Sequence, residues 1–165
     1  MRIITAKEQI SNFEKLREEV LALIETHSPK SNQIILQGLD PDREEWQVGV
    51  GSIEELEERE EKKYQYLNKS LVGSEIENLI TRYQGFRSRI MIMPPRACYS
   101  IHADPTARIH IPIITNDQCW MIWPHNQLCF RLLAGKSYYA DTRRHHTFVN
   151  GSTENRIHIV MCVDS

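Results

Sequence analysis

The short string Ile101-His102-Ala103-Asp104-Pro105 places an imidazole and a carboxylate two residues apart. On an extended strand, side chains alternate in direction, so residues two apart face the same way. His102 and Asp104 can therefore supply two corners of a facial site made of two histidines and one carboxylate. The third corner has to come from a later strand, where His145 and His146 stand side by side. Such a donor set suits iron, because two neutral imidazoles and one carboxylate on a single face leave positions open for an oxidisable cosubstrate and dioxygen. Zinc fits the same donors. Arg156 tilts the reading towards iron: it follows His146 by ten residues, across the turn at Asn150-Gly151-Ser152. A guanidinium on that returning strand can grip a distant carboxylate through two parallel hydrogen bonds, and a dicarboxylic 2-oxoacid then spans arginine and metal.

A repeated tetrapeptide, Arg108-Ile109-His110-Ile111 and Arg156-Ile157-His158-Ile159, carries the same logic. Strand alternation puts arginine and histidine on one face and both isoleucines on the other. With the isoleucines packed against a second layer, the two Arg-x-His pairs point into an interior, and a basic interior calls for an anion.

These residues need strands to position them, and residues 86 to 163 supply about eight. The stretch breaks into short segments rich in Ile, Val, Tyr, Phe and Trp, punctuated by turn signals such as Pro94-Pro95, Asn116-Asp117, Gly135-Lys136 and Asn150-Gly151. The first half reads as a helical preface. Thr5 and Glu8 have capping-box spacing and the apolar residues Ile10 to Ile24 recur at helical intervals, which predicts a helix over 6–27. Short strands are expected at 34–36 and 46–50. A second capping box at Ser52 and Glu55 opens an acidic run to Glu61 that reads as a solvated helix face, and a further helix is expected over about 74–84. Short strands after helices fit a mainly β protein with N-terminal helices, a double-stranded β-helix of the jelly-roll or cupin-like kind. One domain over 1–165 is expected, with 1–85 as preface and 86–165 as the catalytic core.

Composition narrows the class. With 41% hydrophobic and 25% charged residues and a formal charge of -2, the chain resembles an ordinary globular protein and offers no broad attraction for nucleic acid. The N-terminus lacks a signal-peptide pattern and no apolar stretch is long enough to span a bilayer, so a cytoplasmic protein without membrane contact is expected. Cys98, Cys119, Cys129 and Cys162 form no Cys-x-x-Cys pair and are expected as reduced, mostly buried thiols. Trp120, Trp123 and Phe130 are expected in the core or at the rim of a pocket.

The segments Tyr99 to Ile113 and Asp141 to Val160, with their His-x-Asp, Arg-x-His, His and Arg elements, resemble the aspartyl/asparaginyl β-hydroxylase-like family, including bacterial free-proline hydroxylases. The resemblance covers about residues 86–163. It implies a double-stranded β-helix, Fe(II), 2-oxoglutarate as cosubstrate, dioxygen, and hydroxylation of an amino-acid side chain. His102, Asp104 and His146 match the iron ligands and Arg156 the arginine for the distal carboxylate of 2-oxoglutarate. Arg108 and His110 match positions that hold the cosubstrate or a substrate carboxylate. A serine that contacts the cosubstrate in some relatives falls at Met91. The general cupin spacing of Gly135, His146 and Asn150 also favours His146 over His145. No large appended domain is present to capture a protein target, so the expected partner is a small molecule, a free amino acid or something similar. Two competitors remain: a metal-dependent cupin enzyme that does not use 2-oxoglutarate, and a non-catalytic cupin that binds a small anion or a protein partner.

Overall fold

The computed structural model describes residues 2–29, 31–47 and 58–164. In chain order the elements are β1 (Ile4–Gln9), α1 (Phe13–His27), β2 (Gln33–Ile35), β3 (Gln37–Gly38), α2 (Glu58–Glu61), β4 (Tyr66–Leu67) and α3 (Glu75–Tyr83). Then come β5 (Phe86–Met93), β6 (Ala97–Cys98), β7 (Ala107–Ile114), β8 (Cys119–Trp123), β9 (Leu128–Phe130), β10 (Lys136–Ala140), β11 (Thr147–Asn150) and β12 (Arg156–Val163).

The strands form a six-stranded antiparallel sheet in the order β1-β10-β7-β12-β5-β2 and a four-stranded one in the order β6-β11-β8-β9. Apart from the β8–β9 hairpin, consecutive strands of the second half alternate between these two sheets in the jelly-roll manner, so the protein is mainly β with a double-stranded β-helix at its centre. The larger sheet is amphipathic by alternation. Ile109, Ile111, Ile157, Ile159 and Met161 join Leu16 and Val20 of α1 and Ile76 and Leu79 of α3 in one outer core. The opposite face carries Met93, Tyr138 and Ala140 against Met121, Trp123 and Phe148 of the smaller sheet. The isoleucines of the repeated tetrapeptide thus pack under the helices, and the arginines and histidines turn inward.

β7 and β12 are antiparallel neighbours, with Arg108 opposite Cys162 and His110 opposite Val160. The two repeats therefore run in opposite directions, and the arginines sit at opposite ends of the interior. Six residues of β12 separate Arg156 from the position opposite Arg108, about 20 Å at the rise of a strand.

The helix expected over 6–27 begins only at Phe13, because residues 4–9 pair with β10. Thr5 and Glu8 cap nothing; the Glu8 carboxylate accepts from Tyr83 Oη at 2.5 Å and Arg82 Nη1 at 2.9 Å. Pairing with a free sheet edge overrides helical periodicity here, and with β2 it makes the preface the source of both edge strands. The helix expected over 74–84 is α3, with Ser74 accepting from the Glu77 N–H at 3.0 Å as its N-cap. Of the strand expected at 46–50, Trp46 and Gln47 are not in a strand and 48–50 lie outside the described residues. The Ser52 capping box also lies outside them. All four cysteines are free thiols, but only Cys119 and Cys162 are buried; Cys98 and Cys129 are exposed. Among the described residues no helix is long and apolar enough to cross a membrane.

Candidate active site

Two strand-like segments that belong to neither sheet build the site. His102 and His146 form an isolated antiparallel bridge: the His102 N–H donates to the His146 carbonyl at 3.1 Å and the His146 N–H to that of His102 at 2.8 Å. The Asp104 N–H donates to the Thr142 carbonyl at 2.8 Å, a further backbone bond between the two segments with the register shifted by two residues. Backbone bonding thus brings the His-x-Asp pair against the segment leading into β11.

His102, Asp104 and His146 each offer a ligand atom, all within 4.8 Å of one another. The two Nε2 atoms flank the Asp104 carboxylate, at 3.9 Å from His102 to Oδ1 and 3.7 Å from His146 to Oδ2. Each Nδ1 faces a backbone carbonyl, Ser100 O at 2.8 Å for His102 and Arg144 O at 3.0 Å for His146. A carbonyl can only accept, so each ring carries its proton on Nδ1 and presents a lone pair from Nε2. This is the outer-shell arrangement that orients metal-binding histidines. Burial holds the His146 imidazolium form below its ordinary range. His145 points outward, exposed, with its ring edge-on to His125 at 5.4 Å.

The cluster opens on a cavity of about 540 Å³ between the sheets, lined also by Tyr99, His110, Phe148 and Arg156. Arg156 is 1% exposed, with its guanidinium over the Phe148 ring at 4.4 Å. Nη1 donates to His158 Nδ1 at 3.1 Å, which makes His158 the neutral tautomer protonated on Nε2. Among the described residues no carboxylate pairs with Arg156, and its Nε has no partner. Burial lowers its pKa, opposed by nearby Tyr99 and Cys119. Phe148 follows His146 by two residues, so the ring that carries Arg156 is close in the chain to the cluster. His110, at the centre, has neither ring nitrogen hydrogen-bonded. Burial and then the Arg156 charge push its pKa well down, so it is a neutral imidazole.

Arg108 also lines the cavity. Its charge meets an anion supplied by the chain: Nη2 lies 2.6 Å from Glu61 Oε1 and 3.3 Å from Asp104 Oδ1, and Nη1 bonds to Glu61 Oε2 at 3.2 Å and to Thr106 Oγ1. Glu61 also pairs with Arg87 Nη1 at 2.8 Å and accepts from Thr106 Oγ1 at 2.7 Å. The acidic run read as a solvated helix face thus ends in a carboxylate that is 0% exposed, while Glu58 and its neighbour Arg59 remain exposed. Nothing in the local spacing distinguishes Glu61 from the glutamates before it; only the meeting of α2 with β5 and β7 does.

Asn150 holds the turn between β11 and β12. Its buried Nδ2 donates to the carbonyls of Met93, Pro94 and Glu154, and its Oδ1 accepts from the Ser152 N–H and Oγ. Trp123 is fully buried with Nε1 donating to the Asp141 carbonyl, and Trp120 is partly exposed; the aromatic groups at the cavity are Phe148 and Tyr99 instead.

No curated protein matches the chain. Solved structures do. The viral collagen prolyl hydroxylase from Paramecium Bursaria Chlorella virus-1, as a truncated form, superposes with a TM-score of 0.55 at 12% identity over 99% of this chain and 91% of that one. Its 2OG complex gives 0.54 at 10% identity over 99% and 97%. A prolyl-4-hydroxylase from Pseudomonas putida gives 0.54 at 12% identity over 100% and 94%. At such identities the likeness speaks for a shared fold. The Aspartyl/Asparaginyl beta-hydroxylase family matches at the level of sequence, over residues 10–165. Spanning all but the first strand, that match establishes that the chain belongs to the aspartyl/asparaginyl β-hydroxylase family.

Proposed function

We propose that this protein is an Fe(II)- and 2-oxoglutarate-dependent oxygenase that hydroxylates an amino-acid side chain, of a free amino acid or a similarly small molecule. The observation that carries the reading is the cluster of His102, Asp104 and His146, with both Nδ1 atoms committed to carbonyls and both Nε2 lone pairs turned towards one carboxylate. Two neutral nitrogens and one carboxylate fit a divalent iron and leave further coordination positions free. When bound, iron would bring dioxygen, the oxidant, together with 2-oxoglutarate, which would give up two electrons on conversion to succinate and carbon dioxide, one oxygen atom entering succinate and the other a substrate C–H bond.

The chain's own residues position and shield. Arg156, buried and without a carboxylate partner, is assigned to the distal carboxylate of 2-oxoglutarate, with Phe148 fixing the plane of its guanidinium. His110, neutral and with unpartnered ring nitrogens, is assigned to the cosubstrate as well, as a donor in a nearly dry interior. Arg108 orients Asp104 through Oδ1 and is itself held by Glu61. The viral prolyl hydroxylase of the same fold has been obtained as a 2OG complex, which supports this choice of cosubstrate.

The test is anaerobic addition of Fe(II) followed by 2-oxoglutarate, with the visible metal-to-ligand charge-transfer band as readout. The band should need His146 and should require more 2-oxoglutarate in Arg156→Ala. Metal binding without a band would favour a cupin enzyme that does not use 2-oxoglutarate. Absence of metal binding would leave a non-catalytic anion-binding role.

A further inference from the structure

Four arginines line the cavity: Arg87, Arg89, Arg108 and Arg156. Glu61 meets Arg87 and Arg108. Arg156 is assigned above. Arg89 is left: it is 6% exposed, its only hydrogen bond among the described residues runs from Nη1 to Gln33 Oε1 at 3.1 Å, and its Nε has no partner. No carboxylate among the described residues forms an ion pair with it; the neighbouring charges of Arg87 and Arg108 repel it, opposed by Cys162 and Asp104. Burial, then Arg87, push its pKa down to about 10. A buried cation without a counterion is unfavourable, and a structural arginine could have been met by a carboxylate as Arg87 and Arg108 are.

Register places Arg89 away from Arg156. Arg89 lies opposite Val160 and Met93 opposite Arg156, so four residues of β5 separate the two positions, about 13 Å along the strand. A five-carbon diacid is shorter than two extended residues, roughly 7 Å, and so shorter than the backbone separation of the two arginines. Arg89 and Arg156 thus offer two candidate anchors for anions, and a cavity of about 540 Å³ has room for two small molecules.

We infer that Arg89, with Gln33 beside it, anchors a carboxylate of the substrate, which makes the substrate a small carboxylic acid such as an amino acid whose α-carboxylate is free. The inference rests on the oxygenase reading above and deepens it. The guanidinium fork matches a carboxylate in two parallel bonds, and Gln33 on β2 fixes its orientation from the sheet edge.

The experiment uses the full chain loaded with Fe(II) and 2-oxoglutarate without oxygen. The probes are the common L-amino acids, each paired with its α-carboxamide, read first by their perturbation of the charge-transfer band and then, with oxygen, by succinate release. At least one acid should perturb the band and stimulate release while its amide does not. Arg89→Gln should raise the concentration of that acid required by about 100-fold, the loss expected for a charge-assisted pair, while the band formed with 2-oxoglutarate persists. Arg89→Lys, which keeps the charge but not the fork, should recover part of the loss and guards against a folding defect in the glutamine variant. An amide as effective as its acid, no response to any acid, or wild-type acid dependence in Arg89→Gln overturns the anchor and leaves the oxygenase reading standing. Failure of wild-type protein to form the band overturns both.

Discussion

Asp104 shows how the candidate site is tuned residue by residue. Its Oδ1 faces both His102 Nε2 and Arg108 Nη2, while Oδ2 faces His146. Glu61 shares the Arg108 guanidinium with this carboxylate and so limits how strongly Arg108 holds it. Glu61→Ala is therefore expected to remove a counterion shared by two buried guanidinium groups and to destabilise the fold by about 3–5 kcal/mol, measured by urea unfolding. Metal affinity should fall too, since Arg108 would turn fully onto Asp104. The two adjacent histidines offer a sharper contrast. His146→Ala should weaken Fe(II) binding at least about 100-fold, the scale on which even outer-shell changes at metal sites register, and His145→Ala should leave it unchanged. Equal losses in a metal titration of the two variants would contradict the site. Strand parity made it legible in the sequence that the two histidines point opposite ways, the resemblance and the cupin spacing pointed to His146, and parity also gave the inward face of both Arg-x-His pairs. Glu61 was not legible, because burial of a carboxylate depends on partners far away in the chain.

Elements matter through their ends. β12 carries Arg156 at its first residue, so the turn before it sets where that guanidinium lies. Asn150 supplies the turn's hydrogen bonds to three carbonyls and is fully buried. Asn150→Ala should cost about 2–4 kcal/mol, as several buried polar groups lose their partner together, and should raise the 2-oxoglutarate concentration needed for the charge-transfer band. Stability loss with cosubstrate affinity unchanged would show that the turn does not position Arg156. At the other end of the chain, β1 illustrates a local signal overruled. Thr5 and Glu8 satisfy a helix-capping pattern, yet the open edge of β10 offers backbone partners to the whole of residues 4–9, and those bonds decide the conformation.

Over the whole molecule, the interior between the sheets is the dominant electrostatic feature. His110 and His158 are buried there as neutral rings, with pKa values pushed well below 6.5 by burial and by Arg156. In the unfolded chain both take up protons as pH drops through 6.5, while the native forms do not. The unfolded state then binds more protons, and native stability falls with falling pH, by up to about 1.4 kcal/mol per unit for each histidine. Above 6.5 these two groups contribute no pH dependence. Urea midpoints should accordingly decline between about pH 6.5 and about pH 5.5, and His158→Phe should flatten the decline. A decline unchanged in that variant would assign it to other groups.

The sequence by itself determined what depends on local alternation and spacing. The β-rich second half, the outward isoleucines and the shared face of the His-x-Asp pair follow from a period of two, and the resemblance with its cupin spacing pointed to His146 over its neighbour. Tertiary structure alone decided what depends on which segments meet. The opposed direction of β7 and β12 sends Arg108 and Arg156 to opposite ends of the interior, although their tetrapeptides are identical. The meeting of α2 with β5 and β7 turns one glutamate of an acidic run into the counterion of Arg87 and Arg108, and leaves Arg89 as a buried cation facing the cavity. Pairing partners, burial and the resulting electrostatic field are properties of neighbours in space, which no local pattern of residues encodes.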